Sequence, residues 1–108
     1  KDNFTIMKEE PFGPLIPILT FKTFDEVIER ANNNNLGLCS YLYTNSMEKA
    51  YTGSEKLESG TVAVNTGVVA VAEAPFGGIK QTGYGREGGS GAIKDYLNVK
   101  YTHMGLKI

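Results

Sequence analysis

Three short apolar runs separated by two helix-type patterns occupy residues 15–65, and no other feature of the chain constrains the fold as strongly. Residues 15–21 (LIPILTF) are almost wholly apolar, as expected of a strand covered on both faces. Pro17 lacks a backbone donor and places that strand at an edge or a bulge. Thr23 followed three residues later by Glu26 is a capping box, and Phe24, Val27, Ile28 and Ala31 then recur at helical spacing. This predicts a helix from residue 24 to about 33, ended by the asparagines and Gly37. Residues 38–44 (LCSYLYT) alternate as a second strand would. Asn45 with Glu48 repeats the capping signal, and Met47, Ala50, Tyr51 and Leu57 line one face of a second helix. Gly53 weakens that helix by ~1 kcal/mol relative to alanine. Gly60 is the expected C-terminal cap, and residues 61–65 (TVAVN) are rich in β-branched strand formers. Strand, helix, strand, helix, strand is the order of right-handed βαβ units on a parallel sheet, so the fold class is α/β.

Outside this alternation the pattern changes. Residues 4–7 (FTIM) have strand-type composition, and Pro11, Gly13 and Pro14 then break regular structure. Residues 66–91 read as a long connection with little regular structure, a length usually reserved for function. Nine of the thirteen glycines fall at Gly60, Gly67 or between Gly77 and Gly91, so close approach of another backbone or a ligand is built into that stretch. Residues 90–97 support a short helix carrying Ala92, Ile93, Tyr96 and Leu97. Residues 98–104 (NVKYTHM) alternate again, and a final strand must pair with an earlier region or with another subunit.

The chain has 108 residues, enough for one modest domain, and begins at Lys1 without an initiator methionine, as a fragment or processed piece would. A net charge of −1 with interspersed signs argues against a nucleic-acid or anionic-membrane surface. No apolar run approaches the ~18 residues of a membrane span, and no signal peptide is visible. The single cysteine, Cys39, forms no intrachain disulfide and is consistent with a reducing, cytoplasmic setting.

Gly83, Gly85 and Gly88 satisfy G-x-G-x-x-G, yet a loop instead of a strand precedes them and no acidic residue follows ~20 positions on, so the dinucleotide fingerprint is rejected. Cys39 sits mid-strand among large apolar residues and reads as a small hydrophobe, not a nucleophile. His103 reads as a strand surface residue with nothing nearby to complete a metal site. Arg86 and Glu87 read as holding the glycine-rich loop through ion pairing and backbone hydrogen bonds. Glu9 and Glu10 lie where a strand gives way to a proline turn. A carboxylate there accepts hydrogen bonds from vicinal hydroxyls, with Phe12 as a flat apolar neighbour. Taken alone, two solvated acids and a core phenylalanine are the plainer reading.

Four segments in order carry a family resemblance. EEPFGP at 9–14, NNNNLGL at 32–38, SGTVAVN at 59–65 and APFGGIKQTGYGREGG at 74–89 resemble the E-x-F-G-P, N-x-x-x-G-L, G-x-V-x-N and P-F-G-G-x-K-x-[ST]-G-x-G-R-E stretches of NAD(P)-dependent aldehyde dehydrogenases. By that resemblance Glu10 is the carboxylate for the nicotinamide-side ribose of NAD or NADP, and Phe12 its apolar neighbour. Phe76 is an aromatic wall of the substrate pocket, and residues 68–72, with Val68 and Ala70, form the variable loop at the substrate entrance. Residues 1–97 would be the C-terminal part of the catalytic domain, and residues 98–108 an oligomerisation strand and tail for a homodimer or homotetramer. The family attacks its aldehyde with a thiolate, passes a hydride to the nicotinamide and activates water with a glutamate. Neither the G-Q-x-C nor the E-L-G-G context of those two groups occurs here, so the chain holds no catalytic residue and is expected to be inactive without the rest of its polypeptide. Within the family the resemblance is closest to enzymes of succinate semialdehyde, which often have a serine where this chain has Ala70. An enzyme of another semialdehyde, and a non-catalytic binding or assembly module that keeps the fold, are the alternatives.

Overall fold

The computed structural model describes residues 3–107. Its ordered centre consists of α1 (Phe24–Asn32), β1 (Leu36–Gly37), β2 (Cys39–Leu42), α2 (Met47–Lys56), β3 (Thr61–Val64) and β4 (Ile79–Lys80). Strands β2 and β3 pair in parallel, from Cys39 with Thr61 to Leu42 with Val64, and α2 makes the crossover between them. This is the expected βαβ unit. Strand β1 pairs antiparallel with β4, Leu36 opposite Lys80 and Gly37 opposite Ile79, so the glycine-rich segment returns to the centre as a strand.

Local chemistry explains the two helices. At α1 the Thr23 hydroxyl accepts the Glu26 amide at 3.2 Å, and the Glu26 carboxylate reaches back to the Lys22 amide at 2.8 Å. At α2 the cap is Ser46, whose hydroxyl accepts the Lys49 amide at 3.3 Å, and not the expected Asn45. The apolar face of α2 is also turned from the expected one: Met47 and Tyr51 are exposed, while Gly53 is buried. A Cβ at Gly53 would stand 2.5 Å from Leu42 and 3.4 Å from the Phe24 ring. The glycine that lowers helix propensity is thus where α2 seats on β2 and α1. Gly60 is not the cap of α2, which ends at Lys56 with Leu57 extended beyond it.

The flanks depart furthest from expectation. Residues 4–7 contain a 3-10 turn, Thr5–Met7, instead of a strand. Residues 15–21 form no strand, and Ile16 and Ile18 are 84% and 85% exposed. An apolar run can be built for a ladder, but without a partner strand no ladder forms, and among the described residues its backbone makes only scattered bonds such as the Thr20 carbonyl accepting from Arg30. The same holds for residues 98–104, which are extended, exposed and unpaired among the described residues. Residues 92–96 make a 3-10 turn, Ala92–Tyr96, instead of an α-helix. The long connection is more ordered than expected, since it carries β4 and a bridge between Phe76 and Glu87.

The packing follows from this division. Among the described residues only Ile28 and Ala63 are buried apolar side chains. The radius of gyration is 19.5 Å, against about 13 Å for a compact chain of this length. Accessible surface is 9375 Å², against about 5,900 Å² for a compact monomer of this mass. The chain displays apolar surface shaped for cover that it does not itself supply.

Candidate functional site

The glycine-rich segment is held in shape by its own backbone and by Arg86. Phe76 and Glu87 exchange two hydrogen bonds, Phe76 amide to Glu87 carbonyl at 2.7 Å and the reverse at 2.8 Å. The Arg86 guanidinium donates to the carbonyls of Gly78 at 2.9 Å and Gly85 at 2.7 Å, and the Arg86 amide donates to the Asp95 carboxylate at 3.1 Å. Arg86 therefore holds the loop through carbonyls; among the described residues it forms no ion pair, and Glu87 contributes its backbone. Gly83, Gly85, Gly88 and Gly89 all have positive φ. Strand β4 ends two residues before this G-x-G-x-x-G, with the turn at residues 81–82 between, and no α-helix follows it, so the strand-to-helix context that the dinucleotide fingerprint requires is not completed. Gly60 lies against the same segment so closely that a Cβ on it would overlap the Gly77 carbonyl oxygen.

A second junction was not foreseen from the residues. The Lys80 ammonium donates to the carbonyls of Asn32 at 2.9 Å and Asn34 at 3.0 Å and pairs with the Glu58 carboxylate at 2.5 Å. Asn32 in turn donates to the Lys56 carbonyl at 2.7 Å and accepts the Glu58 amide at 2.8 Å, tying the end of α1 to the end of α2. The Gln81 amide donates to the Asn35 carbonyl at 2.9 Å, and the Gly37 amide donates to the Thr82 hydroxyl at 2.8 Å. The only local hint was a lysine placed among glycines, because its partners are up to 48 residues away.

Glu10 and Phe12 stand on a turn closed by hydrogen bonds from the Gly13 amide to Pro11 and from the Leu15 amide to Gly13, both 2.8 Å. Phe12 is 97% exposed, and Glu10 is exposed with no hydrogen bond or ion pair among the described residues. The plainer reading of Phe12 as a core residue is not what is observed. Glu10 lines a broad open groove of about 1780 Å³ that Lys80, Gln81, Gly83 and Tyr84 also line. Ala70 and Phe76 meet elsewhere, in a shallow hollow of about 240 Å³ with Val71, Ala72 and Ala74. Val68 lies outside that hollow and is 66% exposed. The acidic turn thus shares a groove with the glycine-rich segment, but through Lys80–Tyr84 and not through Phe76. Chemically, a free carboxylate beside an open aromatic face can accept a vicinal diol and support a flat ring, while Ala70 and Phe76 offer apolar contact only.

The remaining candidates stay outside both hollows. Cys39 opens β2 half-buried, its thiol 3.9 Å from the Ser40 carbonyl. Hydrogen bonding with Cys39, then slight desolvation and the charges of Cys39 and Tyr43, push the Tyr41 phenol above its ordinary 10.0. His103 is exposed, 3.3 Å from the Tyr101 hydroxyl. Among the described residues no group of three or more His, Cys, Asp or Glu is placed to hold a metal ion. No described helix is long and apolar enough to cross a membrane.

Comparison with known proteins places these motifs. Residues 1–102 match the model of the "Aldehyde dehydrogenase family". The chain is 45% identical over 104 residues to an NADP(+) succinate-semialdehyde dehydrogenase of Escherichia coli K12, covering 96% of this chain and 22% of that protein. It is 45% identical over 103 residues to a glutarate-semialdehyde dehydrogenase of Pseudomonas aeruginosa, covering 95% of this chain and 21% of that protein. Its structure is similar to an NAD+ complex of an aldehyde dehydrogenase from Bacillus cereus, with a TM-score of 0.89, 46% identity, and coverage of 93% of this chain and 20% of the other. The chain therefore spans about one-fifth of the length of the relatives it matches, and with a family match over nearly all of its residues it belongs to the aldehyde dehydrogenase family.

Proposed function

We propose that this chain is the C-terminal part of the catalytic domain of an enzyme that oxidises a semialdehyde, succinate semialdehyde first, to the carboxylic acid with NAD or NADP. The observation that carries this reading is the end-to-end match of 96% of the chain to a relative named for that substrate. The name of the glutarate-semialdehyde relative, at equal identity, keeps the five-carbon substrate as the second candidate. Ala70 favours neither, because an apolar side chain cannot hydrogen-bond the distal carboxylate.

The exposed Glu10 carboxylate suits a nicotinamide nucleotide as a hydrogen-bond acceptor for its ribose, and the exposed Phe12 ring as a flat apolar surface. Bound there, the nucleotide supplies the hydride acceptor. Glu10 would hold a ribose diol by accepting hydrogen bonds from its hydroxyls, and Phe12 would give a flat apolar contact beside it. Phe76 and Ala70 wall the aldehyde from water, with Val68 at the entrance. The thiolate and the water-activating glutamate come from elsewhere in the same polypeptide. Residues 98–108 form the tail that adds to a neighbouring subunit's sheet in a homodimer or homotetramer, and residues 1–97 the catalytic-domain part. A reducing, cytoplasmic setting fits the single Cys39.

The test is turnover by the complete protein. With NAD or NADP it should oxidise succinate semialdehyde, and Glu10→Gln should lower kcat or raise the cofactor KM while leaving the fold intact. A complete protein that retains a reactive cysteine yet oxidises no aldehyde would identify a binding or assembly module instead.

A further inference from the structure

We propose that Lys80 is the positioning residue that sets the place of Phe76, and through it the length of aldehyde the pocket accepts; the proposal rests on the functional reading above. An ammonium has three N–H donors. Lys80 meets three acceptors, the carbonyls of Asn32 and Asn34 and the carboxylate of Glu58. The Lys80 side chain is only 24% exposed and its contact with Asn32 is partly buried, while the Asn34 carbonyl and the Glu58 carboxylate stand at the surface. Two of the three acceptors are the carbonyl of Asn32, the last residue of α1, which also accepts the Asn34 amide, and the carbonyl of Asn34 just beyond the helix end, where a cation is favoured.

The backbone at Lys80 gives a second, independent observation. Its φ is +56°, a left-handed conformation that side chains other than glycine rarely adopt. Such a conformation persists where the surroundings over-determine it, and these tend to be functional positions. Here the pairing of β4 with β1 and the bond from the Gln81 amide to Asn35 hold the strand on either side.

Phe76 lies four residues upstream, and everything between is glycine or β4. Between them Gly77 lies against Gly60 and the Gly78 carbonyl accepts from Arg86, so Phe76 is fixed on one side by its bridge to Glu87 and on the other by the Arg86 contact, with β4 and the Lys80 clamp holding the strand that follows. Lys80 also lines the groove that holds Glu10, so the clamp stands between the proposed cofactor turn and the proposed aldehyde wall. Its three donors are taken up by Asn32, Asn34 and Glu58, so its action on the reaction runs through Phe76.

The experiment uses the complete protein with Lys80→Met, which keeps the apolar stem and drops the ammonium, and Lys80→Arg, whose planar fork keeps the charge but cannot meet three acceptors arranged around a point. Amide exchange is followed at Phe76 and Gln81, and kcat/KM is measured for succinate and glutarate semialdehydes. Lys80→Met should speed exchange at both amides by about tenfold. It should also move the ratio of the two kcat/KM values toward unity by about threefold or more, since a pocket wall reads a methylene through its position. Lys80→Arg should fall between wild type and Lys80→Met in both readouts. The ratio is independent of how much protein is folded, so a merely structural loss would lower both values by one factor and leave it unchanged. Unchanged exchange, or faster exchange with an unchanged ratio, would overturn the proposal. If Lys80→Met does not fold, Glu58→Gln removes one charge and leaves both carbonyl contacts, and the same pattern is expected at smaller size. A wild-type protein that oxidises neither aldehyde sinks the functional reading, and the exchange arm still decides whether Lys80 holds the loop.

Discussion

The centre of the chain and its flanks differ in the kind of bond each has completed. Between Thr23 and Glu87 the polar groups are largely satisfied inside the chain: caps on both helices, the asparagine–lysine junction and the Arg86 contacts all find partners, with the Thr61 hydroxyl as the exception. In residues 15–21 and 98–104 the apolar side chains stand open, with Ile18, Val99 and Tyr101 more than four-fifths exposed. Hydrogen bonds satisfied over short distances shape a segment, but burial of apolar area is what holds a domain together. The centre has the first without enough of the second.

The largest expected effect follows directly. Produced as these 108 residues alone, the chain should bind a hydrophobic dye and melt without a sharp transition by circular dichroism, because the two buried apolar side chains among the described residues cannot offset the entropy of ordering it. A single cooperative unfolding step would break the comparison, since the centre would then be a domain in its own right.

What could be read in advance divides along the same line. The cap at Thr23 and Glu26 and the parallel pairing of 38–44 with 61–65 were readable because each depends on near neighbours or on a short βαβ crossover. The strands foreseen at 4–7, 15–21 and 98–104 were not found, because apolar composition signals that a segment is to be buried without saying by what. The run LIPILTF reads the same whether or not its partner strand is present. Asn45 failed as a cap by one residue, since Ser46 offers the same oxygen nearer the helix start. Glu10, Phe12, Ala70, Val68 and Phe76 were reached through family motifs and not from periodicity. The Lys80 junction escaped both routes, because its partners Asn32, Asn34 and Glu58 lie far back in the chain, up to 48 residues away, and no spacing rule links them.

Next in size is a core substitution in a flank. In the complete protein Ile18→Ala should cost about 2–5 kcal/mol by denaturant unfolding, the range for deleting most of a buried branched side chain. Here Ile18 is 85% exposed, so the whole effect must come from cover supplied by other residues. A loss below about 0.5 kcal/mol would mean the flank stays at the surface. A smaller effect is expected at Gly60→Ala, about 1–3 kcal/mol, from forcing a methyl against the Gly77 carbonyl where both partners are backbone. Unchanged stability would show that the two segments can separate freely, and the centre would be looser than its bonds imply.

The smallest effect sharpens the comparison most. The Thr61 hydroxyl, at the start of β3, is the one buried side-chain oxygen or nitrogen among the described residues that lacks a hydrogen-bond partner. If the centre is self-contained, that hydroxyl stays unpaired in the complete protein, and Thr61→Val removes a desolvated polar group while keeping the shape. Stability should then be unchanged or rise by up to about 1–2 kcal/mol. If other parts of the polypeptide reach into the centre and pair with the hydroxyl, the same substitution should instead lose about 1 kcal/mol. The sign of that change, read from denaturant midpoints at equal m-value, decides whether the surrounding protein only covers the flanks or also completes the centre.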